Sequence, residues 1–235
     1  MRPGLILDRV SLGLAGREPL IRDLSLAAAP GEIVTLMGPS GSGKSSLLAW
    51  LTGTLAAVFR AEGRAWVDGA EVTRLPPERR RIGILFQDDL LFPHMTVAEN
   101  LAYALPRAVS DRRARRERIA QALGEAQLSG FEDRDPATLS GGQRARVSVL
   151  RTLLAEPKAL LLDEPFSRLA QSLRGQFRSF VFDHARARAL PVLLVSHDPA
   201  DANAAGGVAI EIDPVREEVI ADANEVPNRG AGSIR

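Results

Sequence analysis

Gly38-Pro39-Ser40-Gly41-Ser42-Gly43-Lys44-Ser45 is a glycine-rich turn closed by a lysine and a hydroxyl, with Ser46 next. Glycines allow backbone N–H groups to converge on an anion, and a helix starting there adds the positive end of its dipole. The spacing predicts that Lys44 meets the β- and γ-phosphates of ATP and that Ser45 turns its hydroxyl to the accompanying Mg2+. Asp163 and Glu164 follow the apolar run Ala159-Leu160-Leu161-Leu162. Two neighbouring acids at a strand end can divide the work. Asp163 is assigned to magnesium, through its waters, and Glu164 to general base or water orientation. Gln87 follows Ile82 to Phe86, and His197 comes soon after Pro191 to Val195. An amide at such a position offers donor and acceptor to metal and attacking water, and an imidazole can hydrogen-bond the γ-phosphate. His94, in a Phe-Pro-His loop, and His184, in an Arg-rich helical stretch, stay outside this set.

Leu139-Ser140-Gly141-Gly142-Gln143 is a second candidate anion site. Ser140 with Gln143 three residues on forms a capping box, and Val147, Leu150 and Leu154 continue a helical stripe. That accounts for Ser140 and Gln143. It leaves Gly141 and Gly142 unexplained, because glycine in a helix costs roughly 1 kcal/mol relative to alanine. Two glycines make sense where a phosphate must approach bare backbone amides. The segment is far in sequence from the Lys44 loop, so the expectation is that one copy grips the triphosphate and a second copy closes on it.

The elements that must carry these residues can be read from hydrophobic patterning. Ile33 to Met37 reads as the strand before the loop, and Leu47, Leu48, Leu51 and Leu55 as the helix after it. Leu5 to Leu26, broken by Gly13, Gly16 and Pro19, reads as an antiparallel edge layer, and Ala65-Trp66-Val67 before Asp68-Gly69 as a hairpin strand. Ile82 to Phe86 is predicted to be a buried central strand. The runs at Leu160 and Leu193 read as strands buried on both faces, so a mostly parallel sheet is expected. After Gln87 the pattern turns helical, with Thr96 and Glu99 as a cap. The basic run from Arg112 to Arg118 reads as a solvated helix face.

Composition narrows the partners. With 235 residues, 45% hydrophobic and 25% charged, the chain can bury a large core. Its 30 basic and 29 acidic residues nearly cancel, which argues against nucleic acid as a partner. There is no cysteine, so disulfides and thiolate metal sites are excluded, as suits the cytoplasm. Met1-Arg2-Pro3-Gly4 lacks the apolar core of a signal peptide, and no run approaches the roughly 20 apolar residues that cross a bilayer. A membrane role would therefore come through a partner.

The Lys44 loop, Gln87, Leu139 to Gln143, Leu160 to Glu164 and His197 resemble, in order and spacing, the motifs of the ATP-binding-cassette transporter ATPases. The resemblance spans nearly the whole chain. It implies an α/β fold: a P-loop NTPase (RecA-like) core with a mostly parallel sheet, an N-terminal antiparallel β layer and an inserted helical subdomain. The expected division is one ATPase domain over 1–225, with core 1–87 and 158–225, helical subdomain 88–157 and a flexible tail over 226–235. Ser45, Gln87 and Asp163 would hold Mg2+, and Glu164, His197 and Gln87 would serve catalysis. The resemblance further implies a head-to-tail dimer sandwiching ATP, a membrane permease as partner and an extracytoplasmic solute-binding protein in the same system. The chain would then sit at the inner face of the cell membrane. Ile84 to Asp88 together with Leu91 to Val97 looks most like importer subunits of the thiamine, polyamine and iron(III) group.

Two positions depart from the family pattern. Leu14 stands where an aromatic residue usually stacks on adenine, and Ala170 replaces the aspartate expected after Ser167-Arg168-Leu169. An export or lipid-extrusion ATPase is the alternative transport reading. A small-molecule kinase would use the Lys44 loop but not Leu139 to Gln143. A DNA- or ribosome-directed cassette ATPase would need coiled coils or tandem cassettes for which this length has no room.

Overall fold

The computed structural model describes residues 3–212. The tail expected over 226–235, and residues 213–225 of the expected core, lie outside them. In chain order the elements are β1 (Leu5–Leu14), β2 (Ile21–Ala28), β3 (Ile33–Met37), α1 (Lys44–Thr52), β4 (Phe59–Val67), β5 (Ala70–Glu71) and β6 (Ile82–Leu85). There follow α2 (Val97–Ala104), α3 (Arg112–Glu125), α4 (Gly141–Leu154), β7 (Ala159–Asp163), α5 (Gln171–Ala187), β8 (Val192–Val195), α6 (Pro199–Ala205) and β9 (Ala209–Glu211).

Two sheets face one another. The first is antiparallel in the order β2-β1-β4-β5. Alternation along β1, reset by a register shift between Leu7 and Val10, turns Leu5, Leu7, Val10 and Leu12 inward. Asp68 and Gly69, with φ of 50° and 80°, turn β4 into β5 as a two-residue hairpin requires. The second sheet runs β6-β7-β8-β3-β9 with every pairing parallel. Its inner strands β3, β7 and β8 are buried on both faces, which is why they read as unbroken apolar runs. Leu161, Leu193, Val34 and Leu36 pack with β1 and α1 on one face. Leu160, Leu162, Val192 and Leu194 pack with Phe166, Phe177, Val181 and Phe182 on the other.

The expectation of a central strand at Ile82 to Phe86 is corrected. β6 lies at the edge of the sheet, its first three residues are only half-buried, and Phe86 is 46% exposed. A short apolar run reports burial but not rank within a sheet.

Between β6 and β7 the chain forms helices with an apolar cluster of their own, around Val97, Leu101, Leu123, Val147 and Leu150. Thr96 caps α2 in a full capping box with Glu99. The basic stretch of α3 is largely consumed locally: Arg113 pairs with Glu117, Arg115 donates to the Ala102 and Val109 carbonyls, and Arg118 meets Glu156. α4 serves two clusters at once. Ala145, Val149 and Leu153 pack against the parallel sheet, while Val147 and Leu150 pack among the helices. No helix among the described residues is long and apolar enough to cross a membrane.

Candidate functional site

The carboxyl ends of β3, β7 and β8 lie side by side, because Leu36 and Asp163 both pair with Val195. Open α/β sheets bind ligands at this edge. The turn leaving β3 runs into α1 through Gly38, Gly41 and Gly43, with φ of 151°, 83° and 90°. These are values that side-chain-bearing residues rarely adopt. Gly43 is also held for space, since a Cβ there would stand 3.0 Å from Leu20 Cβ. Lys44 is buried, and its ammonium curls back into the loop. It donates to the Gly38 carbonyl at 2.7 Å, the Pro39 carbonyl at 2.6 Å and Ser42 Oγ at 3.2 Å. Burial lowers the Lys44 pKa, and the Glu164 and Asp163 carboxylates oppose that shift. A cavity of about 370 Å3 opens over the loop, lined by Leu20, Ser40, Gly41, Lys44, Ser46 and Glu164 among others. Its apolar wall is Leu20; Leu14, at the end of β1, does not line it.

The two acids diverge. Asp163 Oδ1 accepts a hydrogen bond from Ser45 Oγ at 3.3 Å, whereas Glu164 Oε1 lies 3.1 Å from His197 Nδ1. Burial pushes the Asp163 carboxyl above the ordinary aspartate range; the Ser45 hydrogen bond pulls the other way. Ser45 and Asp163 supply two oxygen atoms on one side of the Lys44 loop. That donor set suits a hard cation which keeps most of its waters. Glu164 sits in the left-handed region at φ 47°. His197 is well exposed, but the turn beneath it is tied down: Ser196 Oγ donates to buried Asp201 at 2.6 Å and accepts from the Asp198 N–H at 3.0 Å. Nothing in the sequence reading singled out Ser196, Asp198 or Asp201. The Asp198-Pro199 helix start was the available signal.

The remaining candidates are not gathered onto this cavity. Gln87 is exposed just beyond edge strand β6, and its neighbours make the contacts, Asp88 with Arg168 and Asp89 with Arg144. Ser140 and Gln143 form the full capping box of α4. Gln143 Oε1 accepts from the Ser140 N–H at 2.9 Å, and Ser140 Oγ accepts from the Gln143 N–H at 3.3 Å. Their side chains are thus engaged with each other. Gly141 and Gly142 have room for a methyl group, the nearest atoms to a built Cβ being 3.9 Å and 3.6 Å away. Packing among the described residues therefore gives no reason for glycine at either place. Ala170 is the N-cap of α5 and makes no side-chain capping bond.

A family model described as ABC transporter matches residues 21–167, well over half of the chain. The chain is 50% identical over 203 residues to the uncharacterized ABC transporter ATP-binding protein YnjD of Escherichia coli (strain K12), covering 85% of this chain and 93% of that one. It is 40% identical over 200 residues to the Fe(3+) ions import ATP-binding protein FbpC 1 of Rhizobium meliloti (strain 1021), covering 85% of this chain and 56% of that relative. It is 35% identical over 222 residues to the sulfate/thiosulfate import ATP-binding protein CysA of Gloeobacter violaceus, covering 94% and 63% respectively. The chain thus spans nearly all of the first relative and somewhat under two thirds of the other two.

Proposed function

Because this chain belongs to the ABC transporter family, we propose that its ATP hydrolysis drives solute import through a membrane permease, with two copies enclosing the nucleotide head to tail. ATP binding and hydrolysis come with the family. Import is favoured over export because relatives along most of the chain are named for import of Fe(3+) ions and of sulfate or thiosulfate. The permease, and an extracytoplasmic binding protein in the same system, would select the solute.

One observation carries the reading of the site: the Asp163–Ser45 and Glu164–His197 contacts, at 3.3 Å and 3.1 Å, flank the mouth of the Lys44 loop. Backbone N–H groups between Gly38 and Ser46, Pro39 excepted because it has none, would cradle the phosphates, and the Lys44 ammonium would exchange its loop carbonyls for phosphate oxygens. Mg2+, when bound, would neutralise charge on those phosphates; Ser45 and Asp163 fit it through oxygen, and Gln87 would have to approach from the β6 edge. Glu164 would orient or deprotonate the attacking water, and His197 would hold the Glu164 carboxylate and reach the γ-phosphate. The bare Gly141 and Gly142 amides at the start of α4 would serve the second copy's nucleotide. Residues 88–157 are proposed as the helical subdomain that meets the permease, a contact that would put the chain at the inner face of the cell membrane.

Glu164→Gln tests this. The variant is expected to hydrolyse ATP roughly 10²–10⁴ times more slowly and to elute as an ATP-dependent dimer on size exclusion. A monomer that persists with ATP and permease present would overturn the sandwich reading.

A further inference from the structure

Glu164 has a left-handed backbone conformation, φ 47°, that is unfavourable for a residue with a side chain and persists only where its surroundings over-determine it. Three groups close this turn. The Glu164 N–H donates to the Val195 carbonyl at 3.0 Å, and Ser167 donates to the Glu164 carbonyl through its N–H at 3.2 Å and its hydroxyl at 2.8 Å. The Ser167 carbonyl is held in turn by Arg174 of α5 at 2.9 Å, and the same guanidinium donates to the Leu169 carbonyl at 3.0 Å.

The far side of that guanidinium faces the other half of the site. Arg174 lies 3.7 Å from the Asp198 carboxylate, one residue past His197. One helical turn on, Arg178 lies 3.6 Å from the same carboxylate and donates to Asp201 at 2.6 Å; Asp201 also receives the Ser196 hydroxyl. The Arg178 and Asp201 side chains are only 14% and 6% exposed, so this pair is a fixed backstop. A cavity of about 60 Å3 between the two arms is lined by Glu164, Ser167, Arg174, His197 and Asp198 among others. A planar fork with donors on several edges can span such a gap and hold both sides in one register, which a lysine cannot.

We infer that Arg174 is a positioning residue for hydrolysis, which sets Glu164 against His197 by bridging the Ser167 and Leu169 carbonyls to Asp198. The inference rests on the reading of Glu164 and His197 given above. Arg174 itself touches neither side chain by hydrogen bond, so its effect is expected on turnover and not on nucleotide capture.

The test compares Arg174→Gln, Arg174→Lys and Asp198→Asn with the parent chain, measuring kcat and KM for phosphate release and the Kd for a fluorescent ATP analogue. Arg174→Gln is expected to lower kcat by tenfold or more while KM and Kd stay within twofold. Arg174→Lys, which keeps the charge but not the fork, should fall between the two, and Asp198→Asn should resemble Arg174→Gln. A role in stability alone would lower the melting temperature and leave kcat per folded molecule unchanged, and that result in Arg174→Gln overturns the inference. If Arg174→Gln does not fold, Arg174→Lys decides by the same measurement, and a parental kcat overturns the inference. Glu164→Gln serves as the control that separates the two failures. If it abolishes hydrolysis while the Arg174 variants do not, only the bridge is lost; if it retains full turnover, the catalytic reading itself is wrong.

Discussion

Asp163 carries an electrostatic burden that its role explains. Burial holds its carboxyl above the ordinary aspartate pKa, so its ionised form is disfavoured in the folded chain relative to the unfolded one. A carboxylate with a raised folded pKa makes the protein lose stability as pH climbs from the unfolded value, about 4, through the raised value; the penalty then persists at neutral pH. Asp163→Asn is expected to raise the melting temperature of the nucleotide-free chain at pH 7. The advantage should shrink toward zero as the buffer is taken below about pH 4. The same variant should lose roughly 10–100-fold in magnesium-dependent hydrolysis, the scale for a group that acts through metal-bound water. A variant with unchanged stability at both pH values would show that the carboxylate is not under strain. Residues such as Asp163, Lys44 and Glu164 were legible in the sequence because each stands at a fixed offset from an apolar run or a glycine. Arg174 and Arg178 were not. A charged residue on an amphipathic helix looks the same whether it meets water or a buried carbonyl, and only the fold brings Ser167, Leu169 and Asp198 within reach.

At the level of elements, helix starts carry much of the site. Ser140 and Thr96 were readable as caps from the Glu or Gln three residues on, since a capping box is a strictly local arrangement. The starts of α1 and α5 lack such a cap, and at α5 the reason is that Ala170 has no side-chain oxygen to accept from the first turn. Ala170→Asp should therefore act twice. As an N-cap it is expected to add about 1 kcal/mol of stability, a rise of about 2–4 °C in melting temperature for a domain of this size. By resemblance to cassette ATPases it should also raise ATPase rate or cooperativity, because an aspartate at that position usually links the two sites of a dimer. A thermal scan and a steady-state assay separate the effects; a higher melting temperature with unaltered turnover would leave only the cap. The rank of β6 was not legible for a different reason. Four residues alternating Ile, Gly, Ile and Leu satisfy both an edge and a centre, and pairing to β7 alone decides the matter.

For the whole molecule, α4 joins the parallel sheet to the other helices between β6 and β7, and Phe180 of α5 touches both sides as well. Leu153 and Val149 pack in one cluster and Val147 and Leu150 in the other. Neither cluster can be dismantled without exposing one side of that helix, so the sheet and the helical segment should melt together. Calorimetry of the chain without permease is expected to show one transition, with calorimetric and van't Hoff enthalpies in agreement; two resolved transitions would refute shared cooperativity. The sequence showed the helical texture of this segment but not that α4 has two apolar sides, because a stripe wide enough for two partners reads as one broad stripe. A rod wedged between two packed beds can pivot but cannot glide along its own length, as gliding would unseat interlocked side chains on both flanks together. Whatever pushes on the far ends of α2 or α3 would thus reach the Gly141 tip as a swing, with the lever arm fixed by the helix.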